Sequence, residues 1–445
     1  MKCKNLQGTY IMEFRRLLNN KNIGLHILYS LLCLYLVQIG INNYKSIIEN
    51  KDKFLDIERL KVQQYINYSQ YGAYGFRIMF IPSPLSIYFV NSSVISELTA
   101  NVDSGERLNI YNSFKDQTLF ADKAGGFKDF SGIMLLLGSL LVLYSGYDSM
   151  IHKDYLRFMA GFSGHGKLFL SIFFSRVLMF ILLFISIGGI SLLLLKINDI
   201  SLLGNEWSHW FIYLGVLTLI LVFFFALGTI TGTFKSKLAG LVVLIFLWFV
   251  FVFLVPGVVN TIISHNADNI ASNYQLELEK LKILMDFEKQ ANEKAGPVTE
   301  SNTESERKLV ESAWNNEFKK IQALEKRLQN EMEANIHRYQ TLSCFFPSTF
   351  YLSTGKEIGG KGYENFIRFY EYIQDLKWKF IRFYIDKRYY SDSLNVEPFI
   401  KDSENLFYAR ALLPLDFVNG ILITTVYILA LFAISYVRFQ KSVRL

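Results

Sequence analysis

Six long apolar stretches decide most of what this chain can become. Ile23 to Ile41, Phe130 to Tyr147, Leu168 to Leu195, Trp210 to Ile230, Leu238 to Ile263 and Leu415 to Val437 are each long enough to cross about 30 Å of hydrocarbon as a helix. A helix satisfies its own backbone hydrogen bonds in lipid, which an isolated strand cannot do. With 51% hydrophobic residues in 445, the chain divides its length between lipid and water. The predicted fold class is an all-α polytopic membrane protein with six transmembrane helices.

The charges between these stretches set an orientation. Lys2, Lys4, Arg15, Arg16 and Lys21 precede the first span. Lys153, Arg157 and Lys167 lie between spans two and three, Lys235 and Lys237 between four and five, and Arg438, Lys441 and Arg444 follow the sixth. An excess of Lys and Arg in short loops marks the cytoplasmic face, so both termini are expected there. The short connection Lys196 to His209, with Asp199, Glu206, Trp207 and the neighbouring Trp210, suits the opposite surface. The first apolar run leads directly into charged sequence without a small-x-small cleavage site and reads as a retained span.

The expected organisation follows: 1–42 for an amphipathic segment and span one, 43–129 for a first outer domain, 130–263 for spans two to five, 264–414 for a second outer domain, and 415–445 for span six and its tail. Both outer domains read as mainly helical. In the first, Phe54, Ile57, Leu60 and Ile66 recur at helical spacing through 44–68, before Gly72, Gly75, Pro82 and Pro84 interrupt it. The second reads as an antiparallel helical hairpin. Ile270, Tyr274, Leu278, Leu281 and Met285 mark one arm and Trp314, Phe318, Ile321, Leu324, Leu328, Met332 and Ile336 the other, with Gly296 and Pro297 at the tip. Thr303 and Glu306 have capping-box spacing at the start of the returning arm. Such a hairpin serves either as a packing spacer or as a partner-binding coiled coil. The aromatic run from Tyr363 to Tyr390 reads as a buried helical face with snorkelling Lys and Arg.

Several chemistries lack their residues. "GFSGHGK" at 161–167 has the spacing of a phosphate-binding loop, but Leu168 stands where magnesium needs Ser or Thr. The six histidines are scattered without HExxH or a cysteine pair, and Cys3, Cys33 and Cys344 fall in separate regions, so neither metal chemistry nor disulfides are expected. No pair of intramembrane acids offers a proton path. Arg176 is the clear intramembrane charge and reads as an anchor snorkelling to the cytoplasmic interface. The chain is therefore not expected to be an enzyme, to carry a cofactor, or to bind nucleic acid.

Two cytoplasmic segments carry a resemblance: "YIMEFRRLLNNKNIG" before span one, and "GYDSMIHKDYLRFMAGFSGHGKLFLSIFFSR" after span two. Together they resemble the type-2 ABC permeases, in which an elbow helix lies on the inner surface and a short helix between spans two and three couples to an ATPase. Tyr147 and Asp148 fit the family's aromatic–Asp pair and Leu156 to Phe162 its apolar turn. Where members carry an acidic–basic run, this chain has Lys153, Asp154 and Tyr155. "PSPLSIYF", "FFPSTFYLSTGKEIGGKGYENFIRFYEYI" and the placement of the outer domains resemble a subgroup related to the copper-maturation permease of nitrous oxide reductase.

The resemblance implies a bacterial cytoplasmic-membrane location, a second permease subunit, identical or related, and a separate cytoplasmic ABC ATPase holding ATP and Mg. It implies ATPase coupling through about 148–162, with Asp148, Lys153, Asp154, Tyr155, Leu156, Arg157 and Phe158 as contacts and Leu156 and Phe158 as apolar anchors. Phe14, Arg15, Arg16 and Leu17 would form the elbow helix. The leading expectation is an ATP-driven exporter or extractor. The alternatives are a mechanical or sensory ABC complex acting on a periplasmic or lipoprotein partner, and a non-ABC membrane scaffold.

Overall fold

The computed structural model describes residues 20–65, 72, 74–89, 99–103, 109–111, 129–267, 278–283, 285–286, 289, 293, 304–390 and 406–444. Phe14, Arg15, Arg16 and Leu17 lie outside the described residues, as do Cys3 and the expected hairpin tip. Among the described residues six helices are long and apolar enough to cross a membrane, and the chain is a multi-pass membrane protein.

Span one belongs to α1 (Asn20–Gln63), and spans two to six to α2 (Phe130–Ile151), α4 (His165–Ile197), α5 (Gly204–Gly232), α6 (Lys237–Ile262) and α10 (Phe417–Arg444). Between α2 and α4 sits a short helix, α3 (Lys153–Ser163). It lies on one face of the six-helix body. On the opposite face a four-stranded sheet is ordered β3-β2-β1-β4, from β1 (Phe76–Ile81), β2 (Thr99–Val102), β3 (Asn109–Tyr111) and β4 (Leu406–Tyr408). Helices α7 (Glu304–Cys344), α8 (Pro347–Ile358) and α9 (Tyr363–Tyr390) accompany it.

The sheet adds short strands that the expectation of two mainly helical insertions did not include. β1 pairs antiparallel with β2 and parallel with β4, in the register Met79 to Leu406, so the two insertions meet in one sheet. Along one face of α9, Phe366, Phe369, Ile373, Leu376 and Phe380 pack against Phe76, Ile78 and Phe80 of β1. That is the buried face expected of the aromatic run. Lys280 donates to Glu325 at 2.7 Å, and both are buried, joining the first arm of the hairpin region to α7.

The helix expected over 44–68 is present as far as Gln63, as the continuation of span one, since α1 runs unbroken to that residue. Its end is fastened to the sheet by Glu58, fully buried, which accepts from the backbone N of Arg77 at 2.9 Å and from its Nε at 2.5 Å.

Helices α2 and α5 form the most closely packed pair. A Cβ at Gly228 would overlap the carbonyl oxygen of Leu143, and one at Gly146 the carbonyl oxygen of Phe225. Small residues at such positions let two backbones touch in lipid, where helix association relies on packing. Near the sheet face, α8 docks on α5. Tyr351 and Tyr213 share a 2.6 Å hydroxyl contact, and the Tyr351 hydroxyl also donates to the carbonyl of Ser131 at the start of α2.

A π-helical turn occupies Met134–Gly138 of α2, and another, Val250–Leu254, interrupts α6. A π-turn displaces a carbonyl from the α-helical ladder. Trp248 of α6 supplies a donor: its Nε1 lies 3.2 Å from the carbonyl of Leu136 and 3.2 Å from the Ser139 hydroxyl.

Candidate functional site

The segment between spans two and three is built from a helix stop, a helix and a second stop. His152, at φ −90° and ψ 70°, ends α2 and begins α3. Gly164, in the left-handed region at φ 77°, ends α3 and opens α4, which is where a glycine is needed. The stretch 161–167 thus joins two helices, whereas a phosphate-binding loop follows a strand.

Helix α3 is amphipathic. Leu156 and Ala160 turn inward and are buried, while Phe158 and Phe162 on the other side are 65% and 69% exposed. Their rings meet edge to face with centroids 4.9 Å apart. The solvent side also carries Asp154 and Arg157, 3.7 Å apart. Of the two expected apolar anchors, only Phe158 faces outward. Leu156 packs within the chain's own core, because its spacing from Ala160 puts both on the side pressed against the spans. Phe162, one turn beyond Phe158, is the outward partner that the sequence did not single out. Its i, i+4 spacing from Phe158 was the available signal.

The remaining expected contacts hold α3 in place. Lys153 donates to the backbone carbonyl of Phe234 at 2.9 Å, and the Tyr147 hydroxyl donates to the carbonyl of Lys237 at 2.7 Å. The short connection between α5 and α6 is thereby tied to α2 and α3. Tyr155 is half-buried against the main core. On the same face the Arg438 guanidinium lies 5.3 Å from the ring centroid of Phe234, linking the end of α10 to that connection.

Asp148 is placed in the last turns of α2 rather than in the short helix. Its Oδ2 accepts from Arg176 Nη2 at 3.2 Å, and its Oδ1 lies 3.7 Å from His152 Nε2. Arg176 is 1% exposed, and its Nη1 also donates to the carbonyl of Ser145 at 2.6 Å. This overturns the reading of Arg176 as a snorkelling anchor. Its side chain turns sideways into α2, where a carboxylate and a backbone carbonyl offset its desolvation better than a reach toward headgroups. Position along a span gives depth but not the direction of a side chain around the helix, so the pair was not readable from the sequence.

Among the described residues no group of three or more His, Cys, Asp or Glu side chains is arranged to hold a metal ion. Cys33 and Cys344 are free and buried.

Comparison with protein-family models, with curated proteins and with solved structures finds no match.

Proposed function

We propose that this chain is the membrane subunit of an ATP-driven ABC complex, with α3 as the surface on which a separate cytoplasmic ATPase docks. The observation that carries the reading is α3 itself: an amphipathic helix clamped between spans two and three, with two phenylalanines in edge-to-face contact turned outward. Exposed aromatic pairs flanked by charges have the composition of a binding hot spot. In this reading the sheet faces the outside of a bacterial cytoplasmic membrane and both termini face the cytoplasm, following the placement of Lys and Arg.

A push on α3 has a packed route to the sheet. Lys153 and the Asp148–Arg176 pair pass it to α2, α4 and the α5–α6 connection. The glycine-lined contact carries it along α2 and α5, and the Tyr213–Tyr351 contact delivers it to α8. Packed elements of this kind transmit rigid-body displacement. This route also favours the second reading, a complex that performs mechanical work on a periplasmic or lipoprotein partner rather than moving a solute. A second permease subunit completes the assembly in either case.

Phe158→Ser combined with Phe162→Ser is the direct test. Each substitution exchanges an exposed ring for a small polar group, so the chain should still insert and purify as a single species. Co-purification of an ATP-hydrolysing subunit in mild detergent is expected to fall at least about tenfold, corresponding to loss of one hot-spot contact worth about 1.4 kcal/mol or more. Undiminished co-purification and ATPase rate would remove α3 as the docking surface. Leu156→Ser is the contrasting variant, expected to destabilise the chain itself.

Orientation has its own test. Gly161→Cys on α3, where a Cβ meets nothing within 4 Å, and Lys319→Cys on exposed α7 place probes on opposite faces. With Cys3 replaced, a membrane-impermeant thiol reagent on intact cells should label position 319 and spare 161. The reverse pattern would invert the topology and place α3 out of an ATPase's reach.

A further inference from the structure

On the sheet face, charged residues are buried where helices α8 and α9 meet. Lys356 and Glu357 end α8, Lys361 lies in the turn, and all three are at most 5% exposed. Glu357 is the centre of this junction. Its Oε1 accepts from the backbone N of Tyr363 at 2.8 Å and of Glu364 at 3.4 Å, capping the start of α9. Its backbone carbonyl accepts from the N of Leu412, in the segment between β4 and α10, at 3.2 Å. Its Oε2 is buried without a hydrogen-bond partner among the described residues. The carboxyl packs against Gly362 so closely that any Cβ there would overlap it.

One side chain therefore joins α8, α9 and the connection to the last span. Beside it, Asn365 of α9 accepts from the Arg410 backbone N at 3.0 Å and donates to its carbonyl at 2.8 Å, closing the same seam. α8 in turn rests on α5 and α10. The junction is where the sheet-side structure is fastened to the membrane spans.

We propose that the Glu357 carboxyl is a proton-operated latch on this junction, closed when the carboxyl is protonated and released when it ionises. In the protonated form Oε1 caps α9 as a carbonyl oxygen while Oε2 carries the proton, and the carboxyl itself bears no charge. Loss of the proton puts a full charge on a carboxyl with one oxygen unpaired, in a space that Gly362 fills without room to relax. A buried, incompletely bonded charge is costly, and opening to water relieves the cost.

The neighbouring charges are consistent with this. Burial raises Glu357 from the ordinary value of 4.5 to about 8, and the charge of Glu364 adds to the shift. Lys356, on the same helix, opposes it, as do the two backbone donors. Lys361 is lowered to about 8 by burial, with Asp129 at the start of α2 opposing. Among the described residues, Glu206, hydrogen-bonded to Ser83 at 2.7 Å, and Arg410 are further charged residues near the seam. The sign follows from linkage. Glu357 binds its proton more tightly in the folded chain, so the stability it contributes is full below pH 4.5 and is lost as pH rises through about 8. Lys361 acts in the opposite sense, its contribution lost as pH falls from 10.5 through about 8, so it opposes rather than mimics a loosening of the junction as pH rises.

The experiment uses the full chain in lipid nanodiscs and needs neither an ATPase nor a substrate. Infrared difference spectra between pH 6.5 and 9 should show loss of a protonated-carboxyl band in wild type that is absent in Glu357→Gln. Hydrogen exchange of the amides at 356–366 should match in the two proteins at pH 6.5 and be about tenfold faster in wild type at pH 9, one pH unit above the titration. Where Glu357→Gln does not fold, exchange at 356–366 relative to α5 is followed in wild type alone, and the same rise with pH is required. No band loss, or no pH-dependent loosening of 356–366 beyond that of α5, would overturn the latch. Either result leaves docking at α3 untouched, so the two proposals fail separately.

Discussion

Gly228→Val is expected to leave almost no monodisperse protein after detergent extraction. A Cβ at this position overlaps the carbonyl oxygen of Leu143 and stands 3.1 Å from the backbone N of Tyr147, both on α2. Nothing there is a flexible side-chain end that could swing aside; the obstacle is another helix's backbone. Gly232 of α5 presses on α2 at Tyr147, and Gly146 of α2 presses back on Phe225 of α5, so the two helices would have to separate along their shared length. Overpacking a well-filled site costs about 1–3 kcal/mol, and more when backbone must move. Gly228→Ala already carries the overlapping Cβ, so it should exceed that range and lower the thermal midpoint, while Val should abolish the pair. Gly189→Val on α4 is the control, since a Cβ there meets nothing within 4 Å. Similar size-exclusion profiles for the two valine variants would refute the claim that this contact organises the spans.

Arg176→Met should destabilise the chain by about 3 kcal/mol, the lower end of what is lost when one partner of a buried ion pair is removed. The lower end applies because the Asp148 side chain is 33% exposed and keeps some hydration. The variant also strips the carbonyl of Ser145 of its 2.6 Å donor. Adding Asp148→Leu removes the stranded carboxylate and should restore most of the loss. The double-mutant cycle then reports the pair's own coupling. Additive effects of the two substitutions would show that the pair is not coupled. If α3 receives an ATPase, the restored double variant should still retain its partner, because Phe158 and Phe162 are unaltered, while its ATP hydrolysis no longer responds to the membrane subunit.

The spans were legible because lipid imposes a length and a polarity on every crossing segment, and both appear in a single window of sequence. Span two, for instance, begins at Phe130 in sequence and structure alike, directly after Asp129, whose carboxylate caps the helix by accepting from Gly132 N at 2.7 Å. The sheet was illegible for a matching reason. β1 is buried along nearly its whole length, so it shows no polar–apolar alternation, and its parallel partner β4 lies far downstream. A three-residue strand such as Leu406–Tyr408 has no periodicity to detect.

The candidate site divides in the same way. Its position, between spans two and three, and its apolar and charged residues were readable from spacing. Which face of α3 turns outward was not, because Leu156 and Phe158 are both apolar and only the packed spans decide between them. Arg176 was visible as a charge in an apolar run, but its partner Asp148 sits on a different helix. Glu357 gave no signal at all, since what sets it apart, a buried carboxyl oxygen without a partner among the described residues, exists only in the folded chain.

The uninterrupted course of α1 has a mechanical consequence. At about 1.5 Å per residue its 44 residues span about 66 Å, of which about 30 Å suffices for the hydrocarbon core. Roughly half of the helix therefore projects beyond the bilayer on the sheet side as a stiff rod, gripped at its far end by the Glu58–Arg77 pair. A tilt of about 10° where it leaves the bilayer would carry that end about 6 Å sideways, more than one helical turn of about 5.4 Å. Lipid thickness and crowding act on the base of this lever arm, and the sheet sits at its tip, where small angles in the membrane become large displacements outside it.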